Sequence, residues 1–220
     1  MKRIFLLLLI IPVFIIQANA QMRWGIKGGI AASNRSGFKD IGLDECPLPG
    51  LQTSFFNIVP LGKLIILQSS LGYYAKGNQF KNIMFTDQAG NDLGTGTLAI
   101  RFDYIELALP FQYRMNLSDK ILAFSGLGPY IAYAIGGVVK PKNVSDPSSG
   151  GGPPQKQKIV FGDNGSKRVD AGLTLLISVM MQKYWMISLN YDQGVVKINS
   201  GGGIRTHNLS GGLTVGYLFK

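Results

Sequence analysis

The residues able to do chemistry are few. Histidine occurs once, at His207, followed closely by Asn208 and Ser210. A small-barrel hydrolase would use such a histidine as a base, together with a positioned nucleophile and an orienting acid. Nothing else in the chain announces itself as either, so the trio also reads as polar capping at a strand end, and no catalytic residue is assigned. The glycine runs beginning at Gly150 and Gly201 follow no strand-to-helix pattern and make no phosphate cradle. The single cysteine, Cys46, reads as a loop residue and cannot form an intramolecular disulfide. No metal-ligand set and no cofactor is assigned. The most informative charges are Lys27, Glu106, Arg114, Asp170 and Asp192, because each interrupts a segment that is otherwise largely apolar on alternate positions.

Alternation is what must position those five. From Leu209 to Phe219 the odd positions are apolar or Gly and the even ones mostly polar or small. A period of two means a strand with an oily face and a polar face. The same pattern predicts strands at 24–33, 51–61, 64–76, 99–114, 120–135, 168–181 and 184–195, with the five charges on the polar faces. Between them lie short turns at 62–63, 116–119 and 182–183, and long connections at 34–50, 77–98, 136–167 and 196–206. Short and long connections alternate in strict order, which is the pattern of an outer-membrane barrel with short inner turns and longer outer loops. The predicted fold is all-β: an eight-stranded antiparallel up-and-down transmembrane β-barrel, preceded by a cleavable signal peptide.

That signal is read at residues 1–20, with a basic start at Lys2 and Arg3, an apolar run at 4–16 and a small-x-small ending at Ala18 to Ala20. The run falls short of the ~20 residues a helical crossing needs. The barrel domain is then 21–220, and removing Lys2 and Arg3 takes the formal charge from +10 to about +8. A basic chain suits nucleic acid or an acidic membrane surface. No helix-turn-helix, zinc-ligand or RNA-binding signature is present, so nucleic acid is set aside. Outer-membrane lipid and lipopolysaccharide are the expected counter-charge.

Eight strands make a barrel just wide enough for its own side chains to fill. Buried charges of both signs are costly alone, so Lys27, Glu106, Arg114, Asp170 and Asp192 are expected to pair in a polar network inside a plugged lumen.

The stretches WGIKGGIAASN from Trp24, LQSSLGYYAKG from Leu67, YIELALPFQYR from Tyr104, GLGPYIAYAIGG from Gly126, RVDAGLTLLISV from Arg168, SLNYDQGVVKI from Ser188 and NLSGGLTVGYLF from Asn208 together resemble the PorT-like family of outer-membrane β-barrel proteins. The resemblance implies an eight-stranded barrel in the outer membrane of a Gram-negative bacterium. Its name-giving member is tied to a protein secretion route, which implies an envelope or secretion protein as partner. The expected function is therefore that of a non-enzymatic cell envelope protein whose loops contact a surface or partner. Two alternatives stay open at this point. One is a soluble secreted barrel of the lipocalin type, which needs an oily lumen for an apolar ligand. The other is an outer-membrane hydrolase dependent on His207.

Overall fold

The computed structural model describes residues 22–37, 44–86, 92–145, 155–162, 165–199 and 206–219. The predicted signal at 1–20 lies outside the described residues. In chain order the strands are β1 (Arg23–Ser36), β2 (Glu45–Pro60), β3 (Ile65–Thr86), β4 (Asp92–Ala108), β5 (Phe111–Ser118), β6 (Ile121–Ser145), β7 (Gln157–Lys158), β8 (Val169–Met181), β9 (Trp185–Gly194) and β10 (His207–Leu218). β4 and β5 form one crossing divided at Leu109 and Pro110, and β7 is a short addition along β6. Eight antiparallel crossings remain, each paired with its neighbour in sequence.

The ring closes through β1 and β10, which pair from Gly25↔Leu218 to Ser36↔His207. Closure gives each of the eight crossings a neighbour on both sides, the condition for a sheet surrounded by hydrocarbon. Pro110 has no N–H to contribute, and the ladder passes it on neighbouring groups. The Leu109 N–H donates to the Pro129 carbonyl at 2.9 Å, and the Gln68 N–H donates to the Pro110 carbonyl at 3.1 Å.

Alternation sorts the two faces as the sequence predicts. Along β8, Leu173, Leu175 and Ile177 point outward, while Asp170, Thr174 and Ser178 are buried inside. Leu51 and Ile30, registered side by side, are 66% and 64% exposed to the surroundings. A continuous belt of such residues is far larger than the apolar patches tolerated in water. At the end of the barrel carrying the short turns, Trp185, Tyr217 and Phe219 pack edge to face, with ring centroids 5.2 and 6.3 Å apart. This is the position of an interfacial aromatic girdle. Higher on the wall, the Tyr73 hydroxyl donates to Asp103 at 2.5 Å and the Arg101 Nε–H reaches the same carboxylate at 3.2 Å. Charges on the outer face therefore begin just above Tyr73.

Several boundaries differ from the sequence reading. The connection expected at 77–98 is largely strand, and the one expected at 136–167 begins as strand: β3 continues to Thr86, β4 begins at Asp92 and β6 runs to Ser145. The pairing Asn78↔Ile100 and Phe80↔Leu98 carries the ladder through a stretch with polar residues on both faces. The oily-polar contrast fades there because neither face meets the apolar belt, but the backbone still pairs. Likewise Arg35 and Ser36 belong to β1, and Cys46 lies half-buried in β2 opposite Gln79 rather than in a loop. The turn expected at 116–119 sits at 119–120, after β5. The register of β6, blurred in sequence by Gly126, Gly128 and Pro129, places Phe124, Tyr130, Ala132 and Ala134 inward.

Candidate functional site

The lumen is built in layers. Nearest the short turns, Phe56, Ile58, Ile66, Phe124, Met180, Met186 and Leu218 form an apolar plug. Ile66, the apolar exception on the polar face of its strand, is here 2% exposed and completes that plug. At the opposite end, Phe102, Tyr104, Tyr130 and small alanines make a second cluster, covered by Ile159 and Phe161. Phe161 stands edge-on to Phe102 at 5.9 Å, and the Arg168 guanidinium lies 4.3 Å from the Phe161 ring centre.

Charges occupy the space between. Lys76 is the hub: its Nζ lies 2.5 Å from Glu106 Oε2 and 3.3 Å from Asp192 Oδ2, and 4.3 Å from the centre of the Tyr130 ring. Asp192 also accepts from the Ser210 hydroxyl at 2.9 Å. Asp170 accepts from the Tyr130 hydroxyl at 3.2 Å and from Asn208 Nδ2 at 2.8 Å, and the same Asn208 amide reaches the Tyr104 hydroxyl at 3.2 Å. Arg35 stacks its guanidinium 4.0 Å from the Phe102 ring centre. Lys27 lies 5.9 Å from the centre of the Phe56 ring, at the border of the plug. The buried cations Lys27, Arg35 and Lys76 thus share the lumen with the buried carboxylates Glu106, Asp170 and Asp192. Equal numbers of opposite charges leave this interior close to neutral, as a low-dielectric space demands.

Of the five residues singled out from sequence, Glu106, Asp170 and Asp192 are fully buried in this middle layer, and Lys27 is buried at its lower edge. Arg114 is elsewhere. It is inward-facing but eight residues nearer the short turns, half-buried at the rim beside Arg23 and Lys183, with the apolar plug between it and the carboxylates. Alternation fixes a residue's face but not its height, which is why Arg114 read as a member of the group.

Sequence reasoning missed the hub. Lys76 was readable as inward from its own strand, but its role depends on reaching along the wall. Arg35 was hidden by the assignment of 34–50 to a loop. His207 does not gather a catalytic set: its ring Nδ1 lies 3.1 Å from the Val196 carbonyl, whereas Asn208 and Ser210 belong to the lumen contacts just described. Nor is the lumen oily and open as a lipocalin-type carrier requires. Both side-chain amide atoms of Gln68, and the buried oxygens Oδ1 of Asn57 and Oδ1 of Asp170, have no partner among protein groups. Such groups are normally met by internal water.

The model of the outer membrane protein beta-barrel domain family matches residues 17–200. No curated protein matches the chain. Among solved structures, Ail, the attachment invasion locus protein of Yersinia pestis, is 12% identical over 90% of this chain and 98% of that one, with a TM-score of 0.44. Neisserial surface protein A is 12% identical over 90% of this chain and 96% of that one, with a TM-score of 0.46. OprG from Pseudomonas aeruginosa is 12% identical over 92% and 98% of the two chains, with a TM-score of 0.43.

Proposed function

The chain belongs to the outer membrane protein beta-barrel domain family, and we propose that it is a non-enzymatic surface barrel that works through its extended outer end rather than through its lumen. It is an eight-stranded antiparallel barrel of the outer membrane, and the short-turn end faces the periplasm in this reading. The lumen holds a neutral polar core between two apolar layers, which leaves no open path for a solute. The observation that carries the reading is the charge of the extended end. Lys81, Lys140, Lys158, Lys167 and Arg168 are exposed there. Asp44, Glu45 and Asp103 at the same end are already engaged with Asn82, Asn78 and the Tyr73–Arg101 pair.

Such a cationic collar above an apolar belt fits the phosphates of lipopolysaccharide, whose attraction adds on the order of 1 kcal/mol per cation near a charged surface. The PorT-like resemblance makes an envelope or secretion protein the partner to seek at the same extension. The test is binding of the purified mature barrel to lipopolysaccharide and to its dephosphorylated form, with a Lys140→Gln/Lys158→Gln/Arg168→Gln variant alongside. Tighter, salt-sensitive binding to the phosphorylated form, weakened in the variant, is expected. Equal binding in all arms would overturn the reading.

A further inference from the structure

The apolar plug does not finish the periplasmic end of the lumen. Between the plug and the rim is a cavity of about 220 Å3, with Ile58, Phe124 and Met180 at its floor and Arg23, Arg114 and Lys183 at its mouth. Among the described residues, no carboxylate lines it. The ion pairs found among the described residues lie elsewhere, on Lys76 and Arg101. The nearest acid in sequence, Asp119, is exposed on the turn between β5 and β6.

The mouth is built rather than accidental. The Arg23 guanidinium donates to the Lys183 carbonyl, and its other terminal nitrogen lies 3.7 Å from the Met180 sulfur, so the side chain is held across the opening. Lys183 is placed by the tight turn joining β8 and β9, where Gln182 and Lys183 have φ of 50° and 64° and the Tyr184 N–H donates to the Met181 carbonyl at 3.1 Å. Arg114 comes from the opposite wall, two residues beyond the buried Gln112. Three cations around one small opening repel one another, and an anion seated among them removes that repulsion. The floor below offers buried apolar surface to whatever body the anion carries.

We propose that this mouth is a binding site for a small organic anion with an apolar body, of the class of short-chain carboxylic acids. The carboxylate sits between the Arg114 guanidinium, which can present two parallel donors to it, and the Arg23 guanidinium, which keeps N–H groups beyond those held by Lys183 and Met180. The chain or ring lies on Ile58, Phe124 and Met180. The volume is below the roughly 300–1,000 Å3 of sites for drug-sized ligands, which restricts the occupant to a small acid.

The experiment uses the mature barrel in nanodiscs of neutral lipid, with the methionine methyl groups labelled and followed by NMR. Hexanoate is titrated in, with hexanol supplying the body without the charge and inorganic phosphate supplying charge without the body. A saturable shift of the Met180 methyl signal is expected with hexanoate, with about tenfold weaker binding of hexanol and phosphate. Arg114→Gln, which removes no side-chain hydrogen bond or ion pair among the described residues, should weaken hexanoate by a similar factor, whereas Lys120→Gln on the exposed neighbouring turn should leave it unchanged. Hexanol binding as well as hexanoate, an unaltered affinity in Arg114→Gln, or no saturable shift at Met180 would each overturn the proposal.

Discussion

Lys76 is registered opposite Phe102, yet its ammonium rests on Glu106, which is registered opposite Gly72. The lysine and glutamate side chains therefore extend toward each other along the inner wall and together span a four-residue offset, instead of each crossing to its ladder partner. Tyr74, the inward residue between Lys76 and Gly72 on β3, lies beside that contact, with its ring centre 5.6 Å from the lysine nitrogen.

The hub carries more than either of its carboxylates. Lys76→Met strands Glu106 and Asp192 together without their cation, and breaking a buried pair in this way costs about 3–5 kcal/mol. Glu106→Gln leaves Lys76 with Asp192 and should cost distinctly less. Urea unfolding followed by the shift between folded and unfolded gel bands measures both. Equal losses would show that Asp192 does not share the lysine.

Gly72 is a close-approach position. A Cβ built there meets the Thr53 carbonyl and the Ser54 side chain from β2. Gly72→Val should push β2 and β3 apart and lower the yield of the compact, heat-modifiable form. Gly28→Ala, whose added Cβ meets only ordinary contacts, should be tolerated in the same assay.

Neighbouring residues on β8 should respond in opposite ways. Leu175 is 43% exposed on the outer face, and Leu175→Arg places a cation toward lipid at a cost of about 2–4 kcal/mol near mid-membrane. Thr174 is buried opposite Asp192, so Thr174→Arg crowds the lumen instead. Membrane-assembly assays should show poor insertion for the first and an inserted but loosened barrel for the second.

The lumen layers predict electrical silence. With Phe124 and Met180 in one plug and Phe102 and Tyr104 in the other, the intact barrel in a planar bilayer should give no discrete conductance steps. Stable channel openings at low voltage would contradict the layered interior.

His207→Ala removes the contact to the Val196 carbonyl and should lower the barrel's stability by only about 0.5–1.5 kcal/mol, the usual net contribution of one hydrogen bond. It should also leave lipid and peptide hydrolysis assays unchanged. Loss of a measurable hydrolytic activity in this variant would revive the enzyme reading.

How legible all this was from sequence depended on the surroundings of each segment. Strands that cross the belt, such as Leu173 to Ser178 on β8, announce their faces because lipid and lumen demand opposite chemistry. Where β3 passes Asn78 and β6 passes Lys140, both faces are partly polar and the alternation dissolves, although the hydrogen-bond ladder continues. The inward direction of Glu106, Asp170 and Asp192 followed from parity alone. The separation of Arg114 from them did not, because height along a tilted strand depends on the stagger between strands. The reach of Lys76 was unreadable for a related reason: it depends on how β3, β4 and β9 are staggered around the lumen, which brings Glu106 and Asp192 to one ammonium.

The pairing of β1 with β10 makes the first crossing wait for the last. Trp24 gives its carbonyl to the Phe219 N–H, so two residues far apart in sequence must meet before the ring exists. Contacts of such long sequence separation form slowly, and until then two unsatisfied edges invite pairing with other chains. A chain cut short before β10 has no shorter ring ready to replace the full one. An edge left unpaired in an aqueous compartment is thus a hazard until β10 arrives, and the closing strand decides when that hazard ends.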